Sequence, residues 1–148
     1  MCLTEVSNEK FKMKKKCYCI VAEGILDTDK FESVFQSKMM LGGYYPHKWY
    51  HAFEYPIYEN FEHEKVKYMA GFHLFVSKRD AKKYFRHFMN RPDKFEDYWY
   101  RLAYCSVADI KTYGYEDFKR WKGDKIKTYR FRVIVADKRK IDKVKKIK

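Results

Sequence analysis

The chain has 148 residues, 46% of them hydrophobic, and a formal net charge of +13. That length suits one domain with a single core, and that apolar share excludes a disordered chain. No run of 18 apolar residues occurs, so no segment reads as a membrane-spanning helix, and the polar, then Lys-rich start does not read as a secretion signal. Fifteen net positive charges fall in residues 10–16, 78–91 and 137–148, five in each, and the remainder is net −2. Charge segregated in this way is what a polyanion-binding surface needs.

In chain order, residues 1–16 read as a polar N-terminal arm ending in five lysines. Residues 17–22 (CYCIVA) read as a strand that places Cys17 and Cys19 on one face, a poor geometry for a disulfide between them. With Cys2 and Cys105 they suit free thiols and a cytoplasmic, reducing setting. Asp27 or Thr28 then offers an N-cap, and Phe31, Val34, Phe35 and Met39 follow at helical spacing up to Gly42-Gly43, which predicts an amphipathic helix.

Residues 44–68 are irregular and rich in aromatics, broken by Pro46 and Pro56, and suit short strands or one long loop. Residues 71–76 (GFHLFV) predict a strand leading into a second helix, with Ser77 as cap, Asp80 three positions on and Ala81, Tyr84, Phe85 and Phe88 as its apolar stripe. Residues 98–110 read as a long strand, Gly114 and Gly123 as turn markers around a polar stretch containing Trp121, and residues 128–135 as a strand with Tyr129, Phe131, Val133 and Val135 inward. From Asp137 the chain reads as a basic tail, a short helix or a frayed arm with Ile141, Val144 and Ile147 every three residues.

Together these elements predict an α+β fold: a largely antiparallel sheet, two main helices packed on one face, and basic N- and C-terminal arms. The single domain spans residues 17–136, between the arm 1–16 and the tail 137–148.

The second helix is the strongest candidate site. Lys78, Arg79, Lys82, Lys83 and Arg86 fall within an arc of roughly 140° opposite the apolar stripe. Like charges so close repel, and a phosphate backbone would relieve the repulsion and release counterions. The same residues also read as a solvated Lys-rich face. Arg130, Arg132 and the two arms would extend the footprint. Tyr45, Trp49 and Tyr50 would stack on bases or anchor a protein interface, or pack into the core. His73, beside a glycine that allows close backbone approach, is the candidate general acid–base, against a purely structural role. No cofactor is implied, and no metal: Cys17 and Cys19 lack the C-x₂-C spacing of a zinc site, and His47 and His51 form only a pair.

The box Gly71-Phe72-His73-Leu74-Phe75-Val76-Ser77-Lys78-Arg79-Asp80-Ala81 resembles a G-F-H-x-F-x-S-x-x-[ED]-A pattern in small phage and prokaryotic proteins of no settled activity. The resemblance implies a His-bearing strand leading into a helix, and a phage-like origin. The expected function is non-enzymatic binding of nucleic acid or a nucleoprotein, in the phage setting as an inhibitor of a host defence complex. Two alternatives stand beside it: an inhibitor acting through protein contacts of the aromatic stretch 44–58, and a small nucleotide- or RNA-processing enzyme using His73.

Overall fold

A computed structural model describes residues 3–12, 16–23, 31–33, 44–52, 56–61, 64–89 and 100–147. Among these residues, nine strands and one α-helix follow in the order β1 (Glu5–Ser7), β2 (Cys17–Glu23), β3 (Phe31–Ser33), β4 (Trp49–His51), β5 (Pro56–Phe61), β6 (Glu64–Met69), β7 (Phe72–Phe75), α1 (Lys78–Tyr84), β8 (Tyr100–Lys122) and β9 (Lys125–Lys146). A π-helical turn, Phe85–Met89, continues α1. Every pairing is antiparallel.

The frame is one long ribbon. β8 and β9, 23 and 22 residues long, pair from Lys122↔Lys125 at the tip to Arg101↔Lys146 at the base. Gly123 and Asp124 make the tight turn, and Gly123 has φ +64°, a left-handed value at the first central position that suits a two-residue hairpin. Strands of that length would span roughly 70 Å if straight, against an expected radius of gyration of roughly 15 Å. Two bulges, which bend and twist a ribbon, interrupt the ladder: Lys111 is the extra residue on β8 and Asp142 on β9. β2 pairs with the other edge of β8, β7 with the other edge of β9, and β2 with β7, so the pairings close on themselves.

Buried side chains form one cluster on each face of this sheet. One contains Ile20, Phe75, Leu102, Phe131, Val133 and Val135 and is covered by Ala81, Tyr84 and Phe85 of the helical segment. The other contains Cys17, Cys19, Val21, Phe72, Leu74, Ala103, Cys105, Ile134 and Ile141.

The expected two-helix α+β architecture is therefore corrected: the fold is mainly β, with one short α-helix among the described residues. Phe31–Ser33, expected to open a helix, instead adds β3 to the edge of β2 through Val21↔Ser33 and Glu23↔Phe31. A tertiary ladder outweighs a weak local helix preference there. The expected caps Asp27 and Thr28 and the rest of that helix lie outside the described residues.

The N-terminal arm docks. Leu3 is fully buried, and β1 pairs with β8 through Glu5↔Tyr115 and Ser7↔Tyr113. Gly114, expected at a turn, is mid-strand, where a Cβ would lie 2.5 Å from the Glu5 carbonyl oxygen and 2.7 Å from Leu3 Cδ1. The glycine is there for close strand approach. The basic tail is the second half of β9. The bulge accounts for the first of its three-residue steps: Asp142 shifts the alternation, so Ile141 opposite Cys105 and Val144 opposite Ala103 share a face, whereas Ile147 packs against the other cluster.

Candidate nucleic-acid interface

Helix α1 forms as its sequence suggests. Ser77 is extended (φ −123°, ψ 144°), and its hydroxyl oxygen accepts the Asp80 N–H at 3.1 Å, satisfying one of the free donors of the first turn. Ala81, Tyr84 and Phe85 of the apolar stripe are buried: Tyr84 lies edge-on to Phe118 at 4.8 Å between ring centroids and contacts Phe75 at 5.4 Å, and Phe85 meets Tyr100 at 5.8 Å. The opposite side presents Lys78, Arg79, Lys82, Lys83 and Arg86, which with His87 line a shallow depression of about 390 Å³.

The ribbon extends this face in both directions. Towards its tip, the His87 ring lies 4.7 Å from that of Tyr129, and the Arg120 guanidinium donates to the His87 carbonyl oxygen and Nδ1, each at 3.2 Å. Lys83 from the helix and Lys127 from the ribbon both sit over the Tyr129 ring, at 5.3 and 5.1 Å. Towards its base, Lys78 and Lys145 share the Tyr104 ring at 5.8 and 5.6 Å. Aromatic faces attract cations, so each tyrosine gathers one lysine from each element. His87 is held below its usual pKa by desolvation and then by Arg120, Lys122, Arg86 and Lys83 around it. Lys143 is lowered by its neighbour Lys145.

Arg120, Lys122 and Lys127 are members of this surface that the sequence reading missed, whereas Lys145 belongs to the C-terminal tail expected to extend the footprint. Their signal was the charge at alternate positions of two strands, which points to a common face only once the strands are known to pair.

None of Lys78, Arg79, Lys82, Lys83, Arg86, Arg120, Lys122, Lys127 or Lys145 has a carboxylate within salt-bridge distance among the described residues. Other basic residues are neutralised. Lys16 pairs with Asp142 at 2.5 Å, Lys111 with Asp137 at 3.7 Å, Lys138 with Asp109 at 3.2 Å and Lys140 with Asp142 at 3.5 Å.

The structure does not bring Arg130 and Arg132 to the helix face. They alternate with Tyr129, Phe131 and Val133 and so project from the other side of β9. Arg130 bonds Glu5, lies 3.7 Å from Asp117 and covers the Tyr115 ring at 3.9 Å; Arg132 lies 6.0 Å from the Phe11 ring.

Tyr45, Trp49 and Tyr50 also lie apart from the helix, because β4 pairs with Lys138–Lys140 on β9. Tyr45 and Trp49 are 40% and 43% exposed, with Lys140 over the Trp49 ring at 5.3 Å. Tyr50 is half-buried, its hydroxyl accepting the Tyr45 N–H at 2.9 Å.

Arg139, part of the basic tail in sequence, is buried between Tyr44 and Phe72 at 4.5 and 4.4 Å and donates to Cys19 Sγ at 3.6 Å. Cys105 and Arg139 together hold the Cys19 thiol below its usual pKa, whereas burial pushes Cys17 up to about 11.

His73 is buried with both ring nitrogens engaged. Nδ1 lies 3.1 Å from the Gly71 carbonyl oxygen and Nε2 3.1 Å from the Tyr68 hydroxyl, which in turn accepts the Leu3 N–H at 3.0 Å. The consistent assignment has Nδ1–H donating to Gly71 and Nε2 accepting from Tyr68, so the ring acts as a tie between β1, β6 and β7. Burial lowers its pKa to about 4. The close approach at Gly71 is to the chain itself, since a Cβ would lie 2.8 Å from the Ala136 carbonyl oxygen.

Among the described residues no three His, Cys, Asp or Glu side chains converge in a way that could hold a metal ion, and no helix is long and apolar enough to cross a membrane. Compared with family models, curated proteins and solved structures, the chain finds no match.

Proposed function

We propose that the chain is a nucleic-acid-binding protein that engages phosphates through α1 and the ribbon beside it. The observation that carries this reading is the run of cations from Lys145 through Lys78, Lys82, Lys83 and Arg86 to Arg120 and Lys127 with no carboxylate partner among the described residues. A surface that concentrates like charge costs folding free energy, and a polyanion offsets that cost through counterion release. The surface acts through its charge and shape, and the reading assigns it no reaction. The buried free thiols Cys17, Cys19 and Cys105 suit work in a reducing, cytoplasmic setting. The resemblance of the Gly71–Ala81 box to small phage proteins makes a nucleoprotein of host defence one source of the bound strand.

The test is fluorescence anisotropy of labelled 20-nucleotide RNA and DNA across a salt series. The expected result is binding whose logarithmic affinity falls linearly with the logarithm of salt concentration. Absence of binding at low salt refutes the reading. A discrete protein captured from host cells in a nuclease- and salt-resistant manner, with contacts through Tyr45 and Trp49, would replace it with protein-only inhibition.

A further inference from the structure

The last turns of the ribbon do something the helix face alone cannot. Every residue from Lys119 to Thr128 is exposed, and the stretch meets the helical segment through Arg120 on His87. An isolated two-stranded ribbon is marginal in water, and this one is weakened further. Arg120 faces Lys127 and Lys122 faces Lys125, two successive like-charge pairs directly across the ladder, which are destabilising. The other side of the same ribbon carries the cross-strand pair Trp121↔Ile126, with Trp121 67% exposed and Ile126 51% exposed. Among the described residues, Trp121 is the most exposed of the large apolar side chains.

Each feature disfavours the free hairpin, and one ligand chemistry accounts for both. The cationic side is continuous with the helix through Arg120, Lys127 and the crowding of His87 by Lys122. Lys119, two residues before Trp121, points to the indole side with it. An indole beside cations with no carboxylate partner fits a base that is free of its own stack, with its phosphate on the neighbouring ammonium. A duplex offers the phosphates but keeps its bases stacked away from such a ring.

Resting on the reading that the helix face binds nucleic acid, we infer that the ribbon tip selects unpaired strands by stacking one exposed base on Trp121, with Ile126 as its apolar flank. The test compares anisotropy of a single-stranded 20-mer and of a duplex with the same number of phosphates, for the wild-type chain and for Trp121→Ala and Trp121→Phe. Stacking of this kind predicts a loss of roughly 5- to 100-fold for Trp121→Ala on the single strand, less than twofold on the duplex, and most of the affinity kept by Trp121→Phe. An equal loss on both ligands overturns the inference in favour of a groove wedge. No loss on either, with wild-type binding intact, overturns it and leaves the helix reading standing. Absence of wild-type binding to both ligands sinks the helix reading, and the inference with it.

Discussion

Two groups of basic residues in this molecule use their charge in opposite ways. Around Arg130 and the two bulges, cations are bound to acids of the same chain: Arg130 to Glu5 and Asp117, Lys138 to Asp109, Lys111 to Asp137, and Lys16 and Lys140 to Asp142. Beside the helix, Lys78, Lys83, Lys127 and Lys145 lie over tyrosine faces, and Lys82 and Arg86 line one depression. Net charge thus overstates the polyanion surface in one place and understates it in another. Residues 137–148 count as +5 in sequence, yet Arg139 is buried and Lys138 and Lys140 are paired. Residues 119–127, a polar stretch in sequence, supply part of the unpaired face.

The sharpest way to break this comparison is to alter both sides in parallel. Changing Lys82, Lys83 and Arg86 together to Glu should lower nucleic-acid affinity more than a hundredfold, about 3 kcal/mol. The buried stripe of the helix is untouched, so circular dichroism should stay native. Changing Lys111, Lys138 and Lys140 together to Gln should alter affinity less than threefold, since those charges are already neutralised. Equal losses from the two triples would remove the distinction between the faces.

Acid separates the interior from the surface. His73 is neutral when folded because burial lowers its pKa from 6.5 to about 4. Below the unfolded value the unfolded chain takes up a proton that the folded chain refuses. Stability is therefore full above about pH 6.5 and falls as the pH drops towards 4, by up to roughly 3 kcal/mol. Urea unfolding at pH 7.5 and pH 5 measures this. His73→Asn, although weaker at pH 7.5, should lose much of the difference between the two pH values.

Salt sharpens the same contrast without disturbing the fold. Each phosphate contact contributes about −0.9 to the logarithmic salt slope on duplex and about −0.7 on single strands. Changing Lys82, Lys83 and Arg86 to Gln should make the slope shallower by about 2 to 3. The Gln triple on Lys111, Lys138 and Lys140 should leave it within about 0.5. A slope unmoved by the helix triple would mean that those cations do not meet phosphates.

What was legible in the sequence was local. Ser77 with Asp80, and the stripe of Ala81, Tyr84 and Phe85, specify a helix through contacts within one or two turns, and that helix is present. The alternation of residues 128–135 specifies a strand with a defined buried side, and Tyr129, Phe131, Val133 and Val135 occupy it. What failed depended on partners far along the chain. The docking of Leu3 requires Tyr68 and Gly114, and the strand character of 137–146 requires β8 as its ladder partner. The three-residue spacing of Ile141 and Val144 imitated a helix because one extra residue, Asp142, shifts the strand's alternation. Arg139 could not be told from its surface neighbours, since only the rings of Tyr44 and Phe72 mark its burial.

The smallest effect tests whether the unpaired face depends on a formed helix or merely on the presence of its charges. Ser77→Ala deletes the hydroxyl that accepts the Asp80 N–H and leaves every cation in place. Loss of such a cap costs about 1 kcal/mol, enough to fray the first turn but not to unfold the domain. Lys78 and Arg79 lie in that turn, and Lys78 must stay near Tyr104 to join the Lys145 end of the face. If position matters, affinity should fall two- to fourfold with a native circular dichroism spectrum, and amide exchange should quicken at residues 79–81. If only charge density matters, exchange will quicken while affinity stays constant. The surface would then act as a diffuse cationic patch rather than a shaped one, and the difference between the two groups of cations would reduce to ion pairing alone.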